Sequence, residues 1–549
     1  MTAELAGHLA GISRAMGRQV GVFIDRSGGI EQVIVGDAMK LDLPDVGRFR
    51  GGTGRFRGVR LVHTHLRGEP LTADDLNDLA LLRLDAVAVV QAEEDGGAGE
   101  VEVAMLAAGD GAGSPAAAVP AEPFLRLRAP SIHRLDLDFD TTIRELEEEF
   151  AALDRTRRGK TKRERALVIG VTQDDERYAE TLELVRSAGV EVAAEIRQRR
   201  AQVHPRTVVG RGKLADIVLD GMRHGAAKAI FDIDLRPAQS RAFEEETGLA
   251  AIDRTQLILD VFAQRAKSAD GKLQVELAQL KYQLPRLVGK GAELSRLAGG
   301  IGTRGPGETK LEVDRRRIRE RIHTLERRIG QLSKQRALRR ERRRETRIPV
   351  LSIVGYTNAG KSTLLNALTN SEVEAADLLF MTLDPTSRRL RFPREGEVVI
   401  TDTVGFLADL PRDLVAAFRA TLEELADADL LLHVVDAADP RLDQKKSAVQ
   451  GILEELELSQ IPRLLVLNKS DLVAPEEMAR LARRHEGVAV SASTKQGLSD
   501  LIAAAEARLA APRPFVPDYG VASRDAPGGA ETDVTDESPS PAVAPGTHP

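Results

Sequence analysis

Leu351-Ser-Ile-Val-Gly-Tyr-Thr-Asn-Ala-Gly-Lys-Ser-Thr-Leu-Leu365 is the stretch that decides the fold. The apolar run from Val350 to Val354 reads as a buried strand. The chain then turns through Gly355, Tyr356, Thr357, Asn358, Ala359, Gly360, Lys361 and Ser362. From Thr363 it continues with the apolar spacing of a helix. Strand, glycine-bounded loop and helix, in that order, form the context of a phosphate-binding loop. Backbone N–H groups and the helix N-terminus then face phosphate oxygens. Lys361 is expected to reach the β- and γ-phosphates, and the Ser362 hydroxyl to hold Mg2+.

The nucleotide is chosen about a hundred residues later. Leu464 to Leu467 reads as a second buried strand, ending in Asn468, Lys469, Ser470 and Asp471. A carboxylate at Asp471 accepts from guanine N1–H and its exocyclic amine. Adenine offers neither donor, so it would leave that carboxylate unpaired. Ser491, Ala492 and Ser493 follow a third short strand and fit a loop backing the guanine ring. The reading is GTP and GDP rather than ATP.

Between these motifs lie two candidate switch segments. Glu397 to Thr401 reads as a strand leading into Asp402, Thr403, Val404 and Gly405. There Asp402 suits an outer-sphere Mg2+ partner and the Gly405 N–H suits the γ-phosphate. Upstream, Phe380, Met381, Thr382, Leu383 and Asp384 offer Thr382 as a Mg2+ ligand, preferred over Thr386. Lys361, Thr382 and Gly405 are thus the expected catalytic groups. Position 406, where many such enzymes carry a water-orienting glutamine, is phenylalanine. It is expected to shield the γ-phosphate without orienting water, leaving hydrolysis slow until something else completes the site.

At 549 residues the chain has room for several domains. It has no cysteine, which excludes disulfides and thiolate metal sites. No signal-peptide pattern and no long apolar run appears, so no membrane span is expected and a cytoplasmic location is, a membrane-associated fraction being left open. Tryptophan is absent and aromatics make up 3%, so any RNA contact must lean on charge rather than base stacking. A monomer is expected.

The expected fold is α/β: a P-loop GTPase domain (348–511), a parallel α/β subdomain (165–290) with a long basic helical hairpin (291–347), and an extra α/β unit (1–130). A linker or helix (131–164) and a disordered tail (512–549) complete it. In the first unit, Gln19–Asp25 with Glu31–Val35 reads as a hairpin, Gly58–His63, Ala86–Val90 and Glu100–Leu106 as strands, Ala73–Arg83 as a helix and Gly96–Pro123 as a linker. There His63, His65, Thr72 and Asp75 resemble the His-x-His and Ser-x-x-Asp zinc signature of JAMM-type metalloproteins, with Glu31 a conceivable acid. The spacing is one residue short and threonine replaces serine. The favoured reading is therefore a strand-end histidine pair and a helix cap at Thr72, without metal.

Strands and helices alternate from Ala166 to Thr247, as a parallel sheet requires. The run His204 to Lys213 is glycine-rich and could hold an anion, ATP being the less favoured reading. Glycines from Gly299 to Gly307 surround Arg304 with no preceding strand, which suits a loop that reaches into a partner. Ile318, Ile322, Leu325, Ile329 and Leu332 then form a heptad seam. From Arg315 to Arg347, fifteen arginines and lysines oppose four glutamates, a net charge near +11 in a chain whose total is −6. Such a segment favours a polyanion such as RNA.

Arg165 to about Leu509 resembles the HflX family of translational GTPases. The resemblance rests on Asp253-Arg-Thr-Gln-Leu-Ile-Leu-Asp260, Gly271-Lys-Leu-Gln-Val-Glu-Leu-Ala-Gln-Leu280, Gly299-Gly-Ile-Gly-Thr-Arg-Gly-Pro-Gly-Glu-Thr-Lys-Leu-Glu312, and the phosphate-loop and switch motifs above. It implies GTP hydrolysis to GDP and phosphate, binding to the large ribosomal subunit and its RNA, and splitting or remodelling of stalled or idle ribosomes. An alternative is a GTP-gated ribosome-binding module in which hydrolysis serves only release. GTPases with a similar Asn-bearing loop include several that hold a monovalent cation, making K+ beside Asn358 a candidate.

Overall fold

A computed structural model of the chain describes residues 2–44, 55–107, 123–158, 163–199, 202–287, 310–345, 348–369, 386–392, 396–402, 405–406 and 425–510. Phe380 to Asp384, Thr403, Val404, the glycine loop with Arg304 and the tail beyond residue 510 lie outside these.

Three sheets organise the described residues. The first has six strands in the order β2-β1-β3-β4-β5-β6. They are β1 (Val20–Asp25), β2 (Ile30–Val35), β3 (Val59–His65), β4 (Val87–Ala92), β5 (Ala98–Leu106) and β6 (Phe124–Ala129), accompanied by α1 (Ala3–Met16), α2 (Ala73–Leu82) and α3 (Phe139–Arg158). The β1–β2 hairpin is antiparallel, whereas β3 and β4 run parallel with α2 as their crossover. The linker expected from Gly96 to Pro123 is corrected in part. Gly96 turns β4 into β5, and the chain returns to the sheet edge as β6. Its alternating Phe124-Leu-Arg-Leu-Arg pattern is that of an edge strand.

The second sheet has the order β10-β9-β7-β8, with every pair parallel. Its strands are β7 (Arg165–Gly170), β8 (Glu191–Arg197), β9 (Lys228–Phe231) and β10 (Ala250–Ile252). Helices α4 (Asp175–Ser187), α5 (Arg211–His224) and α6 (Pro237–Thr247) connect them, and α7 (Arg254–Arg265) follows. Strands covered on both faces must be apolar throughout, and Ala166 to Ile169 are fully buried. Asp174 caps α4 by accepting from the N–H groups of Glu176 and Arg177. The glycine-rich run before α5 offers less to an anion than its sequence suggests. Lys213 is held by Asp216 at 2.7 Å, and Arg211 pairs with Asp78 of α2.

Helix α8 (Ala269–Gln283) packs against α9 (Lys310–Glu345). The heptad seam supplies the contact: Leu277, Ile322 and Leu325 are buried, with Leu273, Leu280, Ile318 and Ile329 around them. Ion pairs Arg321–Glu276 and Lys281–Glu326 flank that seam.

The third sheet has the order β12-β13-β11-β14-β15-β16. It comprises β11 (Val350–Gly355), β12 (Thr386–Phe392), β13 (Gly396–Asp402), β14 (Leu430–Asp436), β15 (Arg463–Asn468) and β16 (Val488–Ala489). All pairs are parallel except β12 with β13. Its helices are α10 (Lys361–Thr369), α11 (Leu442–Glu455), α12 (Pro475–His485) and α13 (Leu498–Ala510). The nucleotide motifs sit at the carboxyl ends of β11, β13 and β15, where open parallel sheets bind ligands.

Candidate active site

Gly355 ends β11, an interior strand, and the loop to Lys361 folds over the carboxyl end of the sheet. Gly360 has φ +86°, and a Cβ there would lie 2.2 Å from the Asn468 amide nitrogen. Only glycine fits such a position. Asn468 ties the guanine side to the phosphate side. Its Nδ2 donates to the Ala359 carbonyl at 2.9 Å, and its Oδ1 accepts from the Ala492 N–H at 3.0 Å.

Lys361 is buried, and its Nζ donates to the Tyr356 carbonyl at 2.7 Å, closing the loop upon itself. Burial pushes its pKa down to about 8, against the opposing pull of Asp402. The Ser362 hydroxyl donates to Asp402 Oδ2 at 2.8 Å, placing the expected Mg2+ ligand beside the expected outer-sphere partner. An oxygen pair of this kind, beside a loop of backbone N–H groups, suits a hard divalent cation.

Gly405 lies against the same lysine. A Cβ there would come within 3.0 Å of Lys361 Nζ and 2.8 Å of Thr357 Cγ2. Phe406 closes the loop by accepting from Thr357 N–H at 2.8 Å and donating its own N–H to the Gly355 carbonyl at 3.1 Å. The sequence suggested a shield over the γ-phosphate; the structure places the Phe406 ring inside the protein. It is 2% exposed and packs in an apolar cluster with Tyr356, Leu425, Ile258 and Phe262. A phenyl ring gains more from that burial than from contact with phosphate.

On the guanine side, Lys469 adopts φ +61° and its Nζ pairs with Asp436 Oδ2 at 2.8 Å. Ser470 N–H donates to the Val490 carbonyl at 3.0 Å, and Asp471 is exposed. Ser491 and Ser493 hydroxyls lie 3.0 Å apart. Thr363 is the third residue of α10.

Several neighbours were not read from the sequence. Asp436 had a signal, an acid ending an apolar run as Asp402 does. Glu176 and Glu180 had none, because they come from α4. Together with Asp175, Tyr356, Asn358 and Arg441 they line a cleft of about 470 Å3. The Tyr356 hydroxyl donates to Glu180, and Arg441 and Lys445 pair with Glu176. The nucleotide loop is thus walled on one side by the second sheet's helix.

A phosphate loop at the end of a parallel sheet, with Asp402, Gly405, Asn468 and Asp471 at neighbouring strand ends, defines a P-loop GTP-binding protein. Comparison with known proteins agrees. Residues 175–263 match the family model described as GTP-binding GTPase N-terminal, 265–343 the GTP-binding GTPase middle region, and 350–469 the 50S ribosome-binding GTPase. GTPase HflX of Caldanaerobacter subterraneus subsp. tengcongensis is 48% identical over 350 residues, covering 63% of this chain and 81% of that protein. GTPase HflX of Escherichia coli is 48% identical over 354 residues, covering 63% of this chain and 83% of that protein. A solved GTP-binding protein from Sulfolobus solfataricus in complex with GDP is 23% identical, with TM-score 0.38 over 63% of this chain and 98% of that one. The chain belongs to the HflX family of GTPases, and it binds and hydrolyses GTP.

Proposed function

We propose that the GTP-bound chain binds the large ribosomal subunit and separates or remodels stalled or idle ribosomes, with hydrolysis resetting it. The observation that carries this reading is the seating of the second sheet's helices on the phosphate loop. Tyr356 donates to Glu180 of α4, Glu180 also receives Arg254 of α7, and Phe406, next to Gly405, shares one apolar cluster with Ile258 and Phe262 of α7. A nucleotide that moves Lys361 and Gly405 therefore pulls on α4 and α7. Helix α7 packs on α8, and α8 on the arginine-rich α9. This chain of contacts links γ-phosphate to a surface whose charge suits ribosomal RNA. The description of the matched family model as a 50S ribosome-binding GTPase supports the same partner.

In this reading Lys361 neutralises the β- and γ-phosphates, and the Gly405 N–H donates to the γ-phosphate. Ser362 and Thr382 would hold Mg2+, which supplies charge stabilisation to the phosphates. With Phe406 buried, no side chain at that position orients water, so the ribosome completes the site. K+ beside Asn358 is a further candidate stabiliser; Asn358 is exposed, has φ +62° and lines the cleft.

The test is cosedimentation with purified large subunits. Pelleting with a non-hydrolysable GTP analogue and release with GDP is expected. Equal behaviour in both nucleotides would overturn the gating, and absence from the pellet would overturn the partner.

A further inference from the structure

The first sheet carries a second constellation, remote in the sequence from the GTP motifs. His63 and His65 are two apart on β3 and so project from the same face. Helix α2 begins eight residues after His65 and brings Asp75 over them. His63 Nε2 lies 3.4 Å from Asp75 Oδ1, and His65 Nε2 lies 3.6 Å from Asp75 Oδ2. Both histidines are buried, and the donor atoms of all three residues fall within 4.8 Å of one another.

Hydrogen bonding leaves this cluster unresolved. His65 Nδ1 faces the Glu69 carbonyl at 2.8 Å; a carbonyl only accepts, so Nδ1 carries the proton. In the neutral ring, Nε2 is then a bare lone pair directed at a carboxylate. An imidazolium–carboxylate pair would close to about 2.8 Å, which neither distance approaches. Neither nitrogen of His63 has a hydrogen-bond partner, nor has the buried Oε1 of Gln91, whose Nε2 donates to the same Glu69 carbonyl. An unmet buried polar atom costs about 1–3 kcal/mol.

We propose that His63, His65 and Asp75 bind a zinc ion between β3 and α2. A tetrahedral ion at about 2.05 Å from its donors holds them about 3.3 Å apart; one ligand atom from each residue already lies within 4.8 Å of the others, so the set needs to close by no more than about 1.5 Å. The Glu69 carbonyl fixes the His65 tautomer, as outer-sphere acceptors do at metal sites. Asp75 keeps its capping role: it accepts from Thr72 N–H at 2.7 Å, while Thr72 accepts from Asp75 N–H at 3.3 Å. Cap and ligand set coexist in one carboxylate, so the helix-cap reading does not exclude metal. Glu31 takes no part. The strand register sets Ile34, not Glu31, opposite Gly21, which itself faces His63. Glu31 lies three residues further along β2, about 10 Å away. The ion therefore pins α2 to the sheet, while Asp78 on α2 holds Arg211 of the second sheet's unit.

The test is elemental analysis of the full chain, purified without a histidine tag or chelator, beside His65→Ala and Asp75→Asn. About one zinc per chain is expected in the parent, falling to about a tenth or less in both variants. Chelation should lower the parent's unfolding temperature, with zinc restoring it, while GDP affinity stays unchanged in all three proteins. A parent free of transition metal even after zinc supplementation, or zinc retained by both variants, would overturn the site. Iron bound and lost in the same pattern would overturn the zinc assignment.

Discussion

The Tyr356 hydroxyl donates to one carboxylate oxygen of Glu180, and the other oxygen of Glu180 receives Arg254 at 2.9 Å. One acid on α4 thus joins the phosphate loop to the start of α7. Tyr356→Phe should cost about 1 kcal/mol of stability, a single hydrogen bond. Glu180→Ala should cost about 3 kcal/mol, because it also deprives the buried Arg254 of its carboxylate. Urea unfolding of both variants checks the order. Equal, negligible losses would remove this contact from the coupling path.

Lys361 gives a pH signature. Its pKa is held near 8 by burial in the nucleotide-free loop. Phosphate should raise it again, so binding above pH 8 takes up a proton. The sign follows: below pH 8 this lysine makes affinity pH-independent, and above it affinity falls as pH rises, by up to about tenfold per unit. Calorimetric GDP titrations at pH 7, 8 and 9 in two buffers measure the uptake. Lys361→Arg, whose side chain stays charged throughout, should lose that component.

The K+ assignment at Asn358 predicts faster ribosome-stimulated hydrolysis in KCl than in NaCl at matched ionic strength. Losing such a charge stabiliser should cost on the order of 3 kcal/mol, roughly a hundredfold in rate. Asn358→Ala should abolish the difference between the salts. Equal parent rates in both salts, or full K+ stimulation in the variant, would leave the ribosome as sole supplier of the missing group.

Much of the GTP site was legible because its motifs are short, contiguous and placed at strand ends. Gly355 to Ser362 are consecutive, so one loop places the backbone N–H groups, the Lys361 ammonium and the Ser362 hydroxyl together. Glu180 was not legible, because it lies 176 residues from Tyr356 and only tertiary packing joins them. The burial of Phe406 was not legible for the same reason, since its apolar cluster draws on residues far away in sequence, Ile258 and Phe262 among them. In the first sheet, β6 alternates like a strand but follows a Gly-, Ala- and Pro-rich run that masked it. Helix α1 went unread although Ala6, Leu9, Ala10 and Ser13 follow helical spacing, because alanines make up half of that buried stripe. The Thr72 cap was read correctly, but spacing alone could not show that Asp75 faces both histidines.

The basic segment should bind the ribosome largely through charge. Replacing Arg339, Arg340, Arg342, Arg343 and Arg344 with Gln should weaken cosedimentation and lower the salt slope by about one unit per lost phosphate contact, leaving GTP affinity unchanged. Deleting Gly302 to Gly307 should spare docking and impair splitting. Unchanged cosedimentation of the first variant would remove the arginines from the interface, and full splitting by the second would remove the loop from the working step.

The most direct measurement is sucrose-gradient sedimentation of intact ribosomes mixed with the full chain and Mg2+, with GTP, GDP or a non-hydrolysable GTP analogue. Separation into subunits with GTP and with the analogue, but not with GDP, is the predicted result: binding energy does the splitting and hydrolysis serves recycling. Ribosomes that stay intact in the GTP and analogue samples, with the chain bound to them, would contradict it and leave a GTP-gated binding module.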